Sequence, residues 1–299
     1  MTGRALLSLI SIALPASILA GLSVVIFSMT TFSSPSLVAN TDILIPETVY
    51  ISPRHYDYHP TGLRLYDGRN IAAPPTNLLS ARLTIMKYQV STNDYALCIA
   101  EGACGPVDKR ANTSPNRPVT GVSFLDATAY AKWFSAKTGQ VWRLPTDQEW
   151  VVAAAERYVG VETIDDNPDN PAERWLADYR DVKERSADID PAPRPLGSFG
   201  ENTHGIADMA GNVWEWTDTC YERLWVDAQG NVQNRLENCG VHVVAGRHTA
   251  YISAFIKDAR SGGCSVGVPP ANLGFRLVRA PTDGGPLTRL TQWLQGQRS

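Results

Sequence analysis

Gly205-Ile-Ala-Asp-Met-Ala-Gly-Asn-Val-Trp-Glu-Trp-Thr217 gathers two tryptophans, two carboxylates, an amide and two glycines into thirteen residues. If its second half is extended, side chains alternate, so Trp214 and Trp216 share one face and bury large apolar area together. Glu215 then points to the other face. Asp208 and Glu215 flank Gly211, where a backbone without a side chain can turn its carbonyl toward a common centre. Two carboxylates with carbonyls between them suit a hard cation such as calcium. The same residues also make an acidic turn followed by a core strand, and composition by itself favours the turn.

Three further motifs accompany this stretch: Pro118-Val-Thr-Gly-Val-Ser-Phe-Leu-Asp-Ala127, Trp142-Arg-Leu-Pro-Thr-Asp-Gln-Glu-Trp150 and Asn272-Leu-Gly-Phe-Arg276. In this order, with Asp208–Trp216, they resemble the sulfatase-modifying-factor family, which includes the formylglycine-generating enzymes and their bacterial relatives. The resemblance runs from about Met86 to Arg279. It implies a loop-rich α+β fold like a C-type lectin domain: a small twisted antiparallel sheet, two main helices, and long loops forming a substrate groove. Trp214, Trp216, Asn272 and Arg276 are then groove or structural residues. For Arg276, pairing with a core carboxylate and binding substrate are equally good readings.

The resemblance also implies a structural calcium ion. Its ligands would be a side-chain oxygen of Asp208, the carbonyls of Gly211 and Val213, and the Glu215 carboxylate. A second calcium site of the family has no counterpart in Trp175–Pro195. Formylglycine-generating enzymes oxidise a substrate cysteine with oxygen, using two cysteines five residues apart that bind copper; soft thiolates suit Cu(I). Counted back from Ala259-Arg-Ser261, those positions are Arg247 and Ile252, and Gly246–Ser253 contains no cysteine. Copper is therefore not expected. The candidate catalytic set becomes Arg247, His248, Arg260 and Cys264. Two functions follow as expectations: a factor that aids maturation or assembly of an exported protein or peptide without copper-dependent formylglycine chemistry, or an active oxidoreductase with altered metal or thiol chemistry.

The chain has 299 residues, 43% hydrophobic and 19% charged, and a net charge of −3, which leaves no electrostatic footprint for nucleic acid. Ala5–Asn40 carries no charge, and its apolar part, Ala5–Met29, is 25 residues long. At about 1.5 Å per residue such a helix spans a bilayer, whereas a signal-peptide core is only about 7–15 residues. An uncleaved signal anchor is expected. Arg4 precedes it, which puts the remainder on the periplasmic or extracellular side; cleavage near Ala39 is the alternative. The expected organisation is an anchor over 1–30, a linker over 31–46, the domain over 47–280 and a tail over 281–299, with Leu287, Leu290 and Leu294 on one helical face.

Five cysteines suit an oxidising compartment. Proximity pairs Cys98 with Cys104 and Cys220 with Cys239, leaving Cys264 over; a bridge that includes Cys264 competes with this arrangement. Strands are expected at Thr48–Ser52, Leu83–Val90 and Val241–Ala245, and a hairpin over Tyr221–Glu237 turning at Ala228–Asn231. Helices are expected over Asp94–Glu101, over Phe124–Lys137 between a Ser123 cap and Gly139, and over Asp147–Tyr158 behind a Thr146–Glu149 capping box. His55, Asp57 and His59 share one face of an extended segment, either a metal triad or, more simply, an exposed edge. Val159–Pro195 is expected to be a solvated loop.

Overall fold

The computed structural model describes residues 45–71, 73–109, 111–158, 192–246, 249–255, 257 and 272–281. All belong to the second of two units, Thr41–Ser299. The expected anchor, nearly all of the linker, residues 159–191 of the acidic loop and the tail beyond 281 lie outside the described residues. Among those described, no helix is long and apolar enough to cross a membrane.

In chain order the elements are β1 (Thr48–Ile51), β2 (His55–Tyr58), β3 (Leu63–Tyr66), β4 (Arg69–Asn70), β5 (Thr76–Leu79), β6 (Leu83–Met86), α1 (Thr92–Ala100), α2 (Phe124–Thr138), β7 (Trp142–Arg143), α3 (Asp147–Ala154), β8 (Trp214–Val226), β9 (Val232–Ala245), β10 (Thr249–Ser253), β11 (Leu273–Gly274) and β12 (Val278–Arg279). This is an α+β architecture. One sheet runs β1-β6-β12-β7, a second runs β10-β9-β8-β3-β4 with β11 beside β8, and β2 pairs with β5 alone. In the first sheet the C-terminal β12 inserts between β6 and β7, antiparallel to both.

Local chemistry accounts for the helix starts. Ser91, Ser123 and Thr146 each accept the N–H three residues on, and Asp94, Asp126 and Glu149 reach back to the cap backbone. Two of the four orphan N–H groups of each helix are thereby satisfied. Gly139 ends α2 in the left-handed region at φ 66°.

Three expectations need correction. The strand from Leu83 stops at Met86, because Lys87 N–H turns to the Glu47 carbonyl and Val90 N–H to that of Phe275. Helix α3 stops at Ala154 and not at Tyr158. The Asn202 side-chain amide donates to the Ala153 and Ala154 carbonyls at 2.7 and 3.2 Å, and Ala155 takes φ 49° before one 3₁₀ turn. Val241–Ala245 is the second half of β9, not a strand of its own; irregularities where β8 reaches Cys220 separate the two halves of the ladder.

Alternate residues of several strands enter different apolar clusters. Val244, Trp216 and Leu277 pack with α1 and α2, among Tyr95, Tyr130 and Phe134. Ala245 and Val278 pack with α3, among Trp150, Ile206 and Met209. The end of β9 is therefore buried on both faces, Val244 in the first cluster and Ala245 in the second.

Candidate functional site

Glu215 points away from Trp216, as alternation requires, but it enters a second core and not solvent: it has no exposed surface. There it meets Arg276, also fully buried, which donates from Nε to Oε2 and from Nη2 to Oε1, both at 2.7 Å. Trp150 Nε1 adds a bond to Oε2 at 3.0 Å and Gln89 Nε2 one to Oε1 at 2.8 Å. The carboxylate thus accepts four donors, about its full lone-pair capacity. Arg276 uses its remaining N–H groups on the carbonyls of Met86, Lys87 and Ala207 at 3.3, 3.0 and 3.1 Å. All five guanidinium donors are matched. Of the two readings of Arg276, the core-carboxylate pair is the one observed.

Gly274 in the same motif is required by a close approach: a Cβ there would lie 2.5 Å from the Val119 carbonyl oxygen. Asn272 accepts the Trp214 N–H through its carbonyl at 3.0 Å, which registers β11 parallel to β8. The Leu-Gly-Phe-Arg segment is therefore a clasp that holds Glu215 in place.

Asp208 has no exposed surface and a φ of 58°. Its Oδ2 accepts the Gly197 N–H at 2.6 Å and its Oδ1 the Phe199 N–H at 2.8 Å, so it pins the 197–199 turn. A calcium ion takes about 6–8 oxygen ligands, carboxylates foremost. Here both carboxylates of the expected set are committed to N–H donors, and the Glu215 side has a guanidinium already in the cation's role. Glu215, with four donors, is filled, whereas Asp208 accepts two and keeps lone pairs that a cation could use.

Strand β10 carries Ile252, one of the two positions where the resemblance would have placed a copper cysteine. Ile252 has no exposure and belongs to the α1–α2 cluster. It lies opposite His242 of β9, which in turn lies opposite Cys220 of β8. Gly246, just before β10, is pressed against the half-buried Trp214, whose ring a Cβ there would meet at 2.7 Å. Arg247, His248, Arg260 and Cys264, the candidate catalytic set, lie outside the described residues.

Sequence reading passed over His242. It is 3% exposed, stacks on Phe124 with ring centroids 3.5 Å apart, and its Nδ1 finds no partner among the described residues. Burial pushes its pKa down to about 4, against a smaller opposing effect of a hydrogen bond to the Cys239 backbone. The folded protein refuses a proton that the unfolded chain, with a pKa of 6.5, accepts. Stability is therefore complete above pH 6.5 and is lost as the pH falls toward about 4. Urea midpoints measured across that window should fall less steeply for His242→Phe than for the parent; parallel curves would contradict this assignment.

The disulfides form as paired by proximity: Cys98–Cys104 with Cα atoms 5.3 Å apart and Cys220–Cys239 at 4.6 Å. His55, Asp57 and His59 make no metal triad. The imidazole of His55 and the carboxylate of Asp57 both bond the Asn77 amide across the β2–β5 pair, at 3.0 and 2.9 Å. Among the described residues, the group whose ligand atoms converge is Cys220, Glu237 and Cys239, within 4.8 Å of one another, and its sulfurs are already joined.

A model of the sulfatase-modifying factor enzyme 1-like domain family matches residues 35–281. The chain belongs to that family. This sulfatase-modifying factor domain is 32% identical over 224 residues to a formylglycine-generating enzyme of Thermomonospora curvata, an alignment covering 70% of this chain and 69% of that one. To the formylglycine-generating enzyme of Streptomyces coelicolor it is 30% identical over 187 residues, covering 60% of this chain and 56% of the enzyme, so it spans little more than half of that relative. A Bos taurus protein named inactive C-alpha-formylglycine-generating enzyme 2 is 31% identical over 132 residues, 40% of this chain and 42% of that one. Among solved structures, PvdO from Pseudomonas aeruginosa superimposes with a TM-score of 0.51 at 20% identity, over 79% of this chain and 95% of PvdO. At that identity the likeness bears on the fold alone.

Proposed function

We propose that this sulfatase-modifying factor domain is a maturation or assembly factor for an exported protein, tethered outside the cytoplasm by the apolar segment over 1–30, and that it works without copper-dependent formylglycine chemistry. On this reading the fold is lectin-like and its loops hold the partner. Position 252 carries the proposal: a fully buried isoleucine stands where a copper thiolate would be needed. The cysteine-free segment Gly246–Ser253 agrees with it. A dithiolate is what captures Cu(I), and an aliphatic side chain with no lone pair cannot replace one ligand of the pair. A relative named inactive lies in the same family, so the domain occurs in proteins so described.

The test is direct. The purified chain, supplied with Cu(I), oxygen and a cysteine peptide that the Streptomyces enzyme converts, should yield no aldehyde product by mass spectrometry. Conversion at a rate comparable with that enzyme would overturn the proposal. Conversion abolished by Cys264→Ser would establish instead the altered oxidoreductase, with its chemistry on Cys264.

A further inference from the structure

Strand β9 changes surroundings along its length. From Val241 to Ala245 it lies between β8 and β10, whereas Val232–Gly240 pairs with β8 alone, and every residue of that half is exposed. The chain that follows β10 leaves this open side. The Ala254 N–H reaches the Gly240 carbonyl at 2.9 Å, Phe255 is 70% exposed, and Lys257 turns to the Pro106 carbonyl at 2.6 Å and to Asp126 of α2 at 3.0 Å. A strand edge of this length presents a row of unpaired N–H and C=O groups and is a template for another strand.

Three observations say which strand fits. The first is regularity. The β8–β9 ladder runs without a shift from the Tyr221–Asn238 pair to the Trp225–Asn234 pair, between irregularities at Cys220 and at Val226. Bulges twist an edge away from partners, and none interrupts this segment. The second is backbone direction. The Arg235 N–H goes to the side-chain oxygen of Asn234 at 2.8 Å and not to β8. Outward and inward residues alternate along an antiparallel strand, so Arg235 and Glu237 offer their backbone groups to the open side.

The third is charge. Glu222 and Glu237 stand directly opposite each other, an unfavourable pair in a ladder. Arg235 bonds Glu222 at 2.9 Å with its own side chain still 65% exposed, and among the described residues no cation contacts Glu237.

We propose that this edge pairs with the same edge of a second copy, antiparallel about a two-fold axis at Leu236. Arg235 of each copy then stands opposite the partner's Glu237, in the kind of pair that exchanges both backbone hydrogen bonds, and Asn234 stands opposite the partner's Asn238. The exposed Leu236 meets its own counterpart in the closer, non-hydrogen-bonded kind of pair. Centred on Arg235 or on Glu237 instead, the same edge would set like charges face to face. The contact is one strand wide, so the dimer is reversible, with a Kd on the order of micromolar.

The full chain in a neutral maltoside would be followed by sedimentation equilibrium from about 1 to 200 µM, the range over which such a dimer dissociates. The parent should pass from monomer to dimer. Arg235→Glu and Glu237→Arg each place like charges opposite one another on both sides of the axis, and each should raise Kd about tenfold or more. Their equimolar mixture should associate as the parent does, because one copy then sets two carboxylates against two guanidinium groups of the other. That recovery also shows that both variants fold. A parent that stays monomeric at the upper concentration would overturn the proposal, whether the edge is bare or taken by a strand of another protein. Association unchanged by either variant would overturn it too, since it would lie on another surface, the apolar segment over 1–30 included. So would a mixture that stays monomeric.

Discussion

Arg276→Met is expected to destabilise the domain by about 3–5 kcal/mol, read as a shift in the urea midpoint at neutral pH. The reason is what stays behind. Methionine fills similar space but leaves the Glu215 carboxylate with no exposure and without its two charge-assisted bonds of 2.7 Å. It also frees the carbonyls of Met86, Lys87 and Ala207, each of which had a guanidinium donor. Arg276→Lys should recover only part of the loss, since one ammonium cannot serve a bidentate carboxylate and three carbonyls together. The companion variant Glu215→Leu with Arg276→Met separates pairing from packing. Removing both charges should be far less damaging than removing Arg276 alone. A single-variant loss below about 1 kcal/mol would mean that the pair is dispensable. Since the guanidinium occupies the cation's role, a chelator should leave the midpoint of the parent unmoved; a fall on chelation, reversed by calcium, would show a site that Glu215 does not form.

The second large effect is Trp216→Ala, at about 3–5 kcal/mol, also by urea denaturation. The ring is fully buried, packs edge-on against Phe124 with centroids 6.1 Å apart, and donates Nε1–H to the Val122 carbonyl at 2.9 Å. Alanine opens a cavity in the α1–α2 cluster and orphans that carbonyl. Trp214→Ala, two residues away on the same face, should cost less than half as much. Its ring is only half-buried, at the edge of the same cluster and against Gly246 before β10. Equal losses would mean that Trp214 is as much core as Trp216.

Sequence reading succeeded where the interaction partners are close along the chain. The caps at Ser123 and Thr146 close over three residues, and the first disulfide spans six. The β8–β9 turn is likewise local: Asp227 Oδ1 accepts the N–H groups of Gln229 and Asn231. Trp150 stood in a quoted motif, yet nothing near it announced that its indole N–H serves a carboxylate 65 positions on. Gln89 and His242 carried no signal at all, because a lone amide or imidazole in an apolar run reads the same whether satisfied or orphaned.

The four ordered motifs by themselves determined the family and the α+β class, since residue identity at a spacing suffices for each. Only the tertiary structure decided what Glu215 and Asp208 do. Both were legible as carboxylates fit for a hard cation. Their oxygens instead receive Arg276 from 61 residues away and the 197–199 backbone. A buried charge takes whichever counter-charge the fold brings within hydrogen-bonding distance. Alternation puts Glu215 on one face of β8, but whether that face meets water, a cation or a guanidinium depends on how β11 and the turn before β8 close over it.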